Sequence, residues 1–236
     1  MINTSLLKEK ADFFGISLDE KALSRFDKYA EMLIETNKVM NLTAITEPDE
    51  IVIKHFADSL SVLKFVDIPE NASVIDVGTG AGFPGVALLI ARPDINLTLL
   101  DSLNKRLVFL ENVLKELDLT AKTVHLRAEQ GGQDGKYREK YDFAVARAVA
   151  ALPVLSEYCL PFVKTGGEFI AMKGDMADEE ISQSENAVKT LGGEITASDG
   201  FELFGRGERT IVRIKKISQT PTRYPRASSK IASKPL

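Results

Sequence analysis

The stretch Val74-Ile75-Asp76-Val77-Gly78-Thr79-Gly80-Ala81-Gly82-Phe83-Pro84-Gly85 ends an apolar run in a carboxylate, passes through a glycine-rich turn and restarts as an apolar segment reaching Ala91. Glycines let a backbone approach a ligand closely and take positive φ without steric cost. A helix beginning there presents unpaired N–H groups and the positive end of its dipole. That is the chemistry of a nucleotide-type cofactor site. Two spacings overlap in it. Gly78, Gly80 and Gly82 form Gly-x-Gly-x-Gly after an aspartate, whereas Gly80, Gly82 and Gly85 form Gly-x-Gly-x-x-Gly, the dinucleotide fingerprint. Asp101 closes the next apolar run, 23 residues after Gly78, where a carboxylate can accept bonds from ribose hydroxyls. NAD and S-adenosylmethionine both carry a ribose, so the stretch specifies an adenosyl cofactor and leaves its kind open.

Other polar residues stand where apolar runs end. Ala128 and Glu129 follow a third run, and Glu129 can accept from an adenine amino group while the backbone there lines the base. Arg147, flanked by small residues in Ala146-Arg147-Ala148, can bind a phosphate or a base edge. Lys173 reads the same way. Lys54, His55 and Asp58 fall within one helical stretch, where Lys54 and Asp58 can pair at i, i+4; His55 and His125 read as structural partners, and Cys159 as core. There is no Asp/Asn-Pro-Pro-aromatic motif for methylating exocyclic amines, no Pro-Cys pair, and no Ser/His/Asp or Cys/His arrangement at useful spacing. For a transferase, these absences favour an acceptor that needs neither a strong base nor covalent help. A purine N7, which has no proton to lose, meets that condition.

The elements that must position these residues follow from hydrophobic periodicity. Strands are predicted at 73–77, 96–101, 122–126, 142–146, 167–173, 193–200 and 209–216, and helices at 84–91, 103–117, 153–162 and 176–191. Such alternation predicts a Rossmann-like α/β fold, a mostly parallel seven-stranded sheet with helices on both faces and a ligand site beyond the strands' carboxyl ends. Residues 1–70 predict a small helical region packed on that domain, with Asp19 as an N-cap and Pro48 opening a second segment. The expected organisation is thus 1–70, a catalytic domain over 71–216, and a tail over 217–236.

The 236 residues carry a net charge of −4, with 44% hydrophobic and 27% charged residues, ordinary values for a globular chain. One cysteine and two histidines offer neither a disulfide nor an obvious metal set, so no metal is expected. No membrane-spanning run or signal-type segment is evident, and a cytoplasmic location is expected. From Arg209 onward there are eight basic residues and no acidic one. A basic tail on an acidic body suggests contact with nucleic acid.

Taken together, Asn37-Lys38-x-x-Asn41-Leu42-Thr43-Ala44, His55-Phe56-x-Asp58-Ser59-Leu60, the glycine stretch, Arg147-Ala148 and Arg223-Tyr224-Pro225-Arg226 resemble the bacterial small-subunit rRNA guanine-N7 methyltransferases, the glucose-inhibited division protein B family. The resemblance runs nearly end to end. It implies a class I S-adenosylmethionine-dependent fold and 16S rRNA as substrate, naked or in a ribosomal particle; another RNA or a small molecule is the alternative acceptor, and a monomer is expected. It resolves the glycine ambiguity in favour of S-adenosylmethionine. The implied cofactor contacts are Asp76, Gly78, Gly80, Gly82, Phe83, Asp101, Ala128, Glu129 and Arg147. Arg147 and Lys173 are implied to orient the guanine, and Lys105, Arg106, Arg206, Arg209, Arg223 and Arg226 to meet RNA. The chain departs from the family pattern at Thr36, Ala146 and Ala227-Ser228-Ser229.

Overall fold

In a computed structural model, which describes residues 1–236, the chain begins with α1 (Thr4–Phe13) and α2 (Glu20–Met40). Asp19 caps α2, accepting the Ala22 N–H at 2.7 Å, and Asn41 ends it in the left-handed region. A bent helix follows: α3 (Pro48–Ile51), a wide π turn (Val52–Ala57), α4 (Asp58–Leu60) and α5 (Val62–Phe65). The π turn holds His55, and such turns recur at functional sites.

The sheet domain alternates β1 (Ser73–Val77), α6 (Gly85–Ala91), β2 (Asn96–Asp101), α7 (Asn104–Glu116), β3 (Lys122–His125), α8 (Ala128–Gln133) and β4 (Tyr141–Arg147). It continues with α9 (Leu152–Cys159), β5 (Val163–Lys173), α10 (Ala177–Thr190), β6 (Gly193–Glu202) and β7 (Glu208–Lys216), and α11 (Ser228–Ser233) follows near the C-terminus. The strand order is β3-β2-β1-β4-β5-β7-β6. Only β7 runs against its neighbours β5 and β6, so the sheet is mostly parallel, as expected. The order reverses between β1 and β4, which opens a crevice beyond their carboxyl ends.

Alternation along the strands divides the core. Val74, Leu97, Leu99, Val145 and Ile170 face one side and join α1, α2, the bent helix, α6 and α7 in one apolar cluster. Ile75, Val77, Ala144, Ala146 and Phe169 face the other, with α9 and the α10 end. The N-terminal helices therefore share with α6 and α7 the cover of one face of the sheet. No helix is long and apolar enough to cross a membrane.

Two short helices differ from expectation. Glu129, which follows the third predicted strand, lies in the first turn of a short helix, α8, where Gln130 Oε1 accepts the Arg127 N–H at 3.3 Å. The 217–236 segment is not a free tail; it folds back along α8 and α9, as described below.

Candidate active site

The glycine turn is built from β1 outward. Gly78 and Thr79 donate their N–H groups to the Leu100 carbonyl at 2.8 and 3.1 Å, which ties the turn to β2. Asp76 lies beneath it, fully buried; its Oδ2 accepts from Thr79 Oγ1 at 2.7 Å and from the Gly85 N–H at 2.9 Å. Burial pushes the Asp76 carboxyl up to about 6 against those two bonds, and its Oδ1 has no partner. Asp101 Oδ2 accepts the Gly80 N–H at 2.9 Å, Oδ1 accepts the Leu103 N–H at 2.8 Å, and Arg106 stands 3.3 Å away.

Beyond this turn lies a cavity of about 300 Å³. Gly78, Asp101, Arg106, Ala128 and Glu129 line it, together with Ala148 and Val149. Gly78, at φ +73°, has no room for a side chain, because a Cβ would lie 2.9 Å from Val149 Cγ2. The bare backbone, a buried carboxylate at the end of β2 and a second carboxylate at the start of α8 suit an adenosyl group: Asp101 for the ribose hydroxyls, Glu129 and the Ala128 backbone for the base. The residues present fit that group.

Five of the nine residues expected on the cofactor do not line this cavity: Asp76, Gly80, Gly82, Phe83 and Arg147. Asp76 is a support below the turn and does not line the cavity. Gly82 points away from it: a Cβ there would lie 2.5 Å from Tyr29 Oη and 2.7 Å from Leu110 Cδ2, so the glycine serves packing against α2 and α7. The Phe83 ring stacks between Tyr29 (centroids 5.3 Å) and His55 (4.5 Å) rather than on the cavity wall.

A second cavity, of about 470 Å³, adjoins the first at Ala148, which lines both. Arg147, Lys173, Arg209 and Lys54 bring positive charge to it. Arg147 is held on several sides. Its Nη1 donates to Asp58 Oδ2 at 2.7 Å and to the Lys54 carbonyl at 3.1 Å, its Nη2 lies 3.2 Å from His55 Nδ1, and its guanidinium sits over the Phe83 ring at 5.0 Å. A guanidinium can only donate, so His55 Nδ1 accepts. Nε2 therefore carries the ring proton and donates it to Thr43 Oγ1 at 2.9 Å. Burial and the Arg147 charge push the His55 imidazolium down to about 3, leaving a neutral ring. Thr43 is in turn fixed by Asn37, whose amide bonds its N–H and carbonyl at 2.9 Å each.

Arg147 therefore faces the second cavity and not the first. Lys173 also lies there, bonded to the Ala150 carbonyl at 2.9 Å and to Glu180 at 2.7 Å. Lys54 pairs with Glu50 rather than with Asp58, because Asp58 is held by Arg147 and by Arg209 at 3.2 Å. Arg206 pairs with Glu50 at 2.7 Å. Lys105 is exposed at the start of α7, and Arg223 is exposed with its guanidinium over Tyr224. Arg226 is bound to Glu157, which removes it from the surface expected to meet RNA. His125 is exposed and bonds the Ser102 carbonyl, and Cys159 is buried. Sequence reasoning did not single out Glu180, Glu157 or Tyr158, and it met Ala148 and Ser228 only as parts of motifs without assigning them a place on a cavity.

A seven-stranded sheet with one reversed strand and, at the β1–β4 switch point, a cavity whose lining suits an adenosyl group define a class I S-adenosylmethionine-dependent methyltransferase. The solved structures agree on the fold. An S-adenosylmethionine-dependent O-methyltransferase from Thermotoga maritima aligns over 80% of this chain and 73% of its own, at a TM-score of 0.53 and 15% identity. The fibrillarin pre-rRNA processing protein of Methanococcus jannaschii aligns over 65% and 71%, at 0.51 and 15%. Residues 22–210 match the family model for rRNA small subunit methyltransferase G, and the chain belongs to that family. Ribosomal RNA small subunit methyltransferase G of Acetivibrio thermocellus is 52% identical over 98% of this chain and 96% of its own length. The protein of that name from Desulforamulus reducens is 50% identical over 99% and 98%.

Proposed function

We propose that this chain methylates N7 of one guanine in small-subunit rRNA, with the first cavity taking the adenosyl part of the cofactor and Arg147 and Lys173 facing the acceptor. The observation that carries this reading is the meeting of two unlike cavities at Ala148. S-adenosylmethionine, when bound, supplies an electrophilic methyl group; Gly78, Asp101, Ala128 and Glu129 would hold it.

The buried groups on the acceptor side are hydrogen-bonded or ion-paired, although Asp58 Oδ1, 3.2 Å from Arg209 Nε, makes no hydrogen bond. His55 is neutral with both ring nitrogens bonded, Asp58 lies between two arginines, and Lys173 is tied to Glu180. None of these is a free base. An acceptor atom there must bring a lone pair and no proton to shed, which guanine N7 does. The residues then have to bind and orient, and well-oriented reactants can account for about 7–11 kcal/mol of barrier. Arg147, rigid in its cage, suits the base edge or an adjoining phosphate. Lys105 and Arg223, exposed and without carboxylate partners, would add salt-dependent affinity for the RNA backbone. In this reading the protein acts as a monomer on naked rRNA or on a ribosomal particle.

The test is methyl transfer from labelled S-adenosylmethionine to small-subunit rRNA isolated from cells lacking this gene, followed by nucleoside analysis. N7-methylguanosine at a single position is the expected product. Label in another nucleoside, or none in either naked RNA or small subunits while the cofactor binds, would overturn the acceptor assignment.

A further inference from the structure

We propose that the C-terminal strap, residues 220–233, is a wall of the cofactor cavity, and that Arg226 locks it there by binding Glu157. The inference rests on the reading of the first cavity as the adenosyl site. It replaces the role in RNA contact expected of Arg226 from its place in a basic tail.

The strap is held at every step of its path. Arg138 Nη2 donates to the Thr220 carbonyl at 2.6 Å and Nη1 to the Tyr224 carbonyl at 2.7 Å. Gln133, at the end of α8, donates to the Pro225 carbonyl at 2.9 Å. The strongest anchor is Arg226. Its backbone N–H and Nε donate to Glu157 Oε1 at 2.7 and 2.9 Å, and its Nη2 donates to Oε2 at 2.6 Å. The Glu157 side chain is 1% exposed, so these charge-assisted bonds neutralise a carboxylate that has no water to turn to. Tyr224 and Ile231 are buried, Tyr224 within the core cluster that holds α9.

This anchoring brings the strap to the cavity. Tyr158, the residue after Glu157 on α9, lines the cavity, and its hydroxyl stands 3.4 Å from Ser228 Oγ. Ser228 lines the cavity too. The strap and α9 thus form a wall alongside the start of α8, where Ala128 and Glu129 would receive the base. A loosened strap would leave that wall open to solvent, and preorganised walls are what save a ligand the cost of ordering them.

The test is calorimetric titration of the full-length protein with S-adenosylhomocysteine. It compares wild type, Ser228→Phe, and the double variant Glu157→Gln with Arg226→Ala, which removes the lock without leaving a buried charge unpaired. Both variants are expected to bind about tenfold or more weakly than wild type, with Ser228→Phe keeping the wild-type thermal midpoint. Trypsin should cut after Arg223 and Lys230, and saturating S-adenosylhomocysteine should slow both cuts in wild type but not in the double variant. Affinity of both variants within twofold of wild type would overturn the proposal. So would unchanged cofactor affinity with a raised KM for RNA, which would return Arg226 to the RNA surface. No binding by wild type would instead bring down the reading of the cavity itself.

Discussion

Gly82→Ala should be far more damaging than Gly80→Ala, although both glycines belong to one motif. Gly82 sits at φ +103°, and a Cβ on it would lie 2.5 Å from Tyr29 Oη, 2.7 Å from Leu110 Cδ2 and 2.9 Å from Val86 Cγ2. All three neighbours are fully buried. Holding a side-chain-bearing residue at that φ costs about 1–3 kcal/mol, and overpacking a closed core about 1–3 kcal/mol more. If Tyr29 swings aside, the Ala81 carbonyl that it bonds loses its partner, at about 1–3 kcal/mol. The sum is about 3–9 kcal/mol, a large part of the roughly 5–15 kcal/mol that holds a domain folded. Gly80, at φ +59°, has only the Gly78 carbonyl at 3.9 Å before it, so alanine there costs about 1–2 kcal/mol of backbone preference. Urea unfolding at constant m-value measures both. Tyr29→Phe isolates the mechanism, since it removes the nearest obstructing atom. It should destabilise the wild type by about 1–3 kcal/mol, yet cost about 1–2 kcal/mol less in the Gly82→Ala background. A Gly82→Ala protein within about 1 kcal/mol of wild type, or strictly additive effects, would refute the reading of Gly82 as a packing glycine.

Arg147→Lys should reduce methyl transfer by about a hundredfold or more, because lysine cannot reproduce the planar set of bonds to Asp58, the Lys54 carbonyl and His55. Calorimetry should find cofactor affinity within a few-fold of wild type; a large loss would restore Arg147 as a cofactor contact. Stability should change little between about pH 6 and 4, where two buried groups oppose each other. His55, near 3 when folded against 6.5 unfolded, loses stability as pH falls through that window, whereas Asp76, near 6 against 3.8, gains it. Asp76→Asn should therefore expose a fall of about 1.4 kcal/mol per pH unit below 6.5 in denaturant titrations, and a flat profile in that variant would remove His55 as its source. Lys105→Glu and Arg223→Glu should each lower the slope of log KM for RNA against log salt, by about 0.7–0.9 for each phosphate no longer neutralised. Arg206→Ala should leave that slope nearly unchanged, since Glu50 already neutralises Arg206.

The fold was legible because its signals are periodic. β1 and β2 match their predicted spans, and β7 begins one residue early, at Glu208, since apolar runs bounded by glycine, proline and acidic residues have few other readings. The short α8 and α11 escaped, being too brief to show a helical period. The sequence marked Asp101, Glu129 and Arg147 by their places at or after strand ends, and the structure sets the first two on one cavity and Arg147 on its neighbour. The site was not legible where a motif residue works by supporting another. Asp76, Gly82 and Phe83 belong to the glycine stretch, yet they face downward into packing and bonds that only the folded chain brings together. The basic tail misled for a related reason: charge counted along a sequence does not reveal that Glu157 lies across from Arg226.

The scattered motifs are one structure in space. Asn37 fixes Thr43, Thr43 receives the His55 proton, His55 and Asp58 hold Arg147, and Asp58 also meets Arg209 from β7. The links up to Asp58 are hydrogen bonds, so removing one leaves a polar partner unpaired, whereas Arg209 meets Asp58 by charge alone, with Oδ1 making no hydrogen bond. The line runs from α2 through the π turn to Arg147 at the end of β4 and Arg209 at the start of β7, so the N-terminal helices hold residues of the second cavity as well as covering the core. Thr43→Val, near in shape, removes the hydroxyl that accepts the His55 proton and leaves the rest of the line in place. It should lower kcat for rRNA by about tenfold through a less rigid Arg147, with cofactor affinity unchanged. If kcat holds while only thermal stability falls, the line is a scaffold and Arg147 needs no orienting from it.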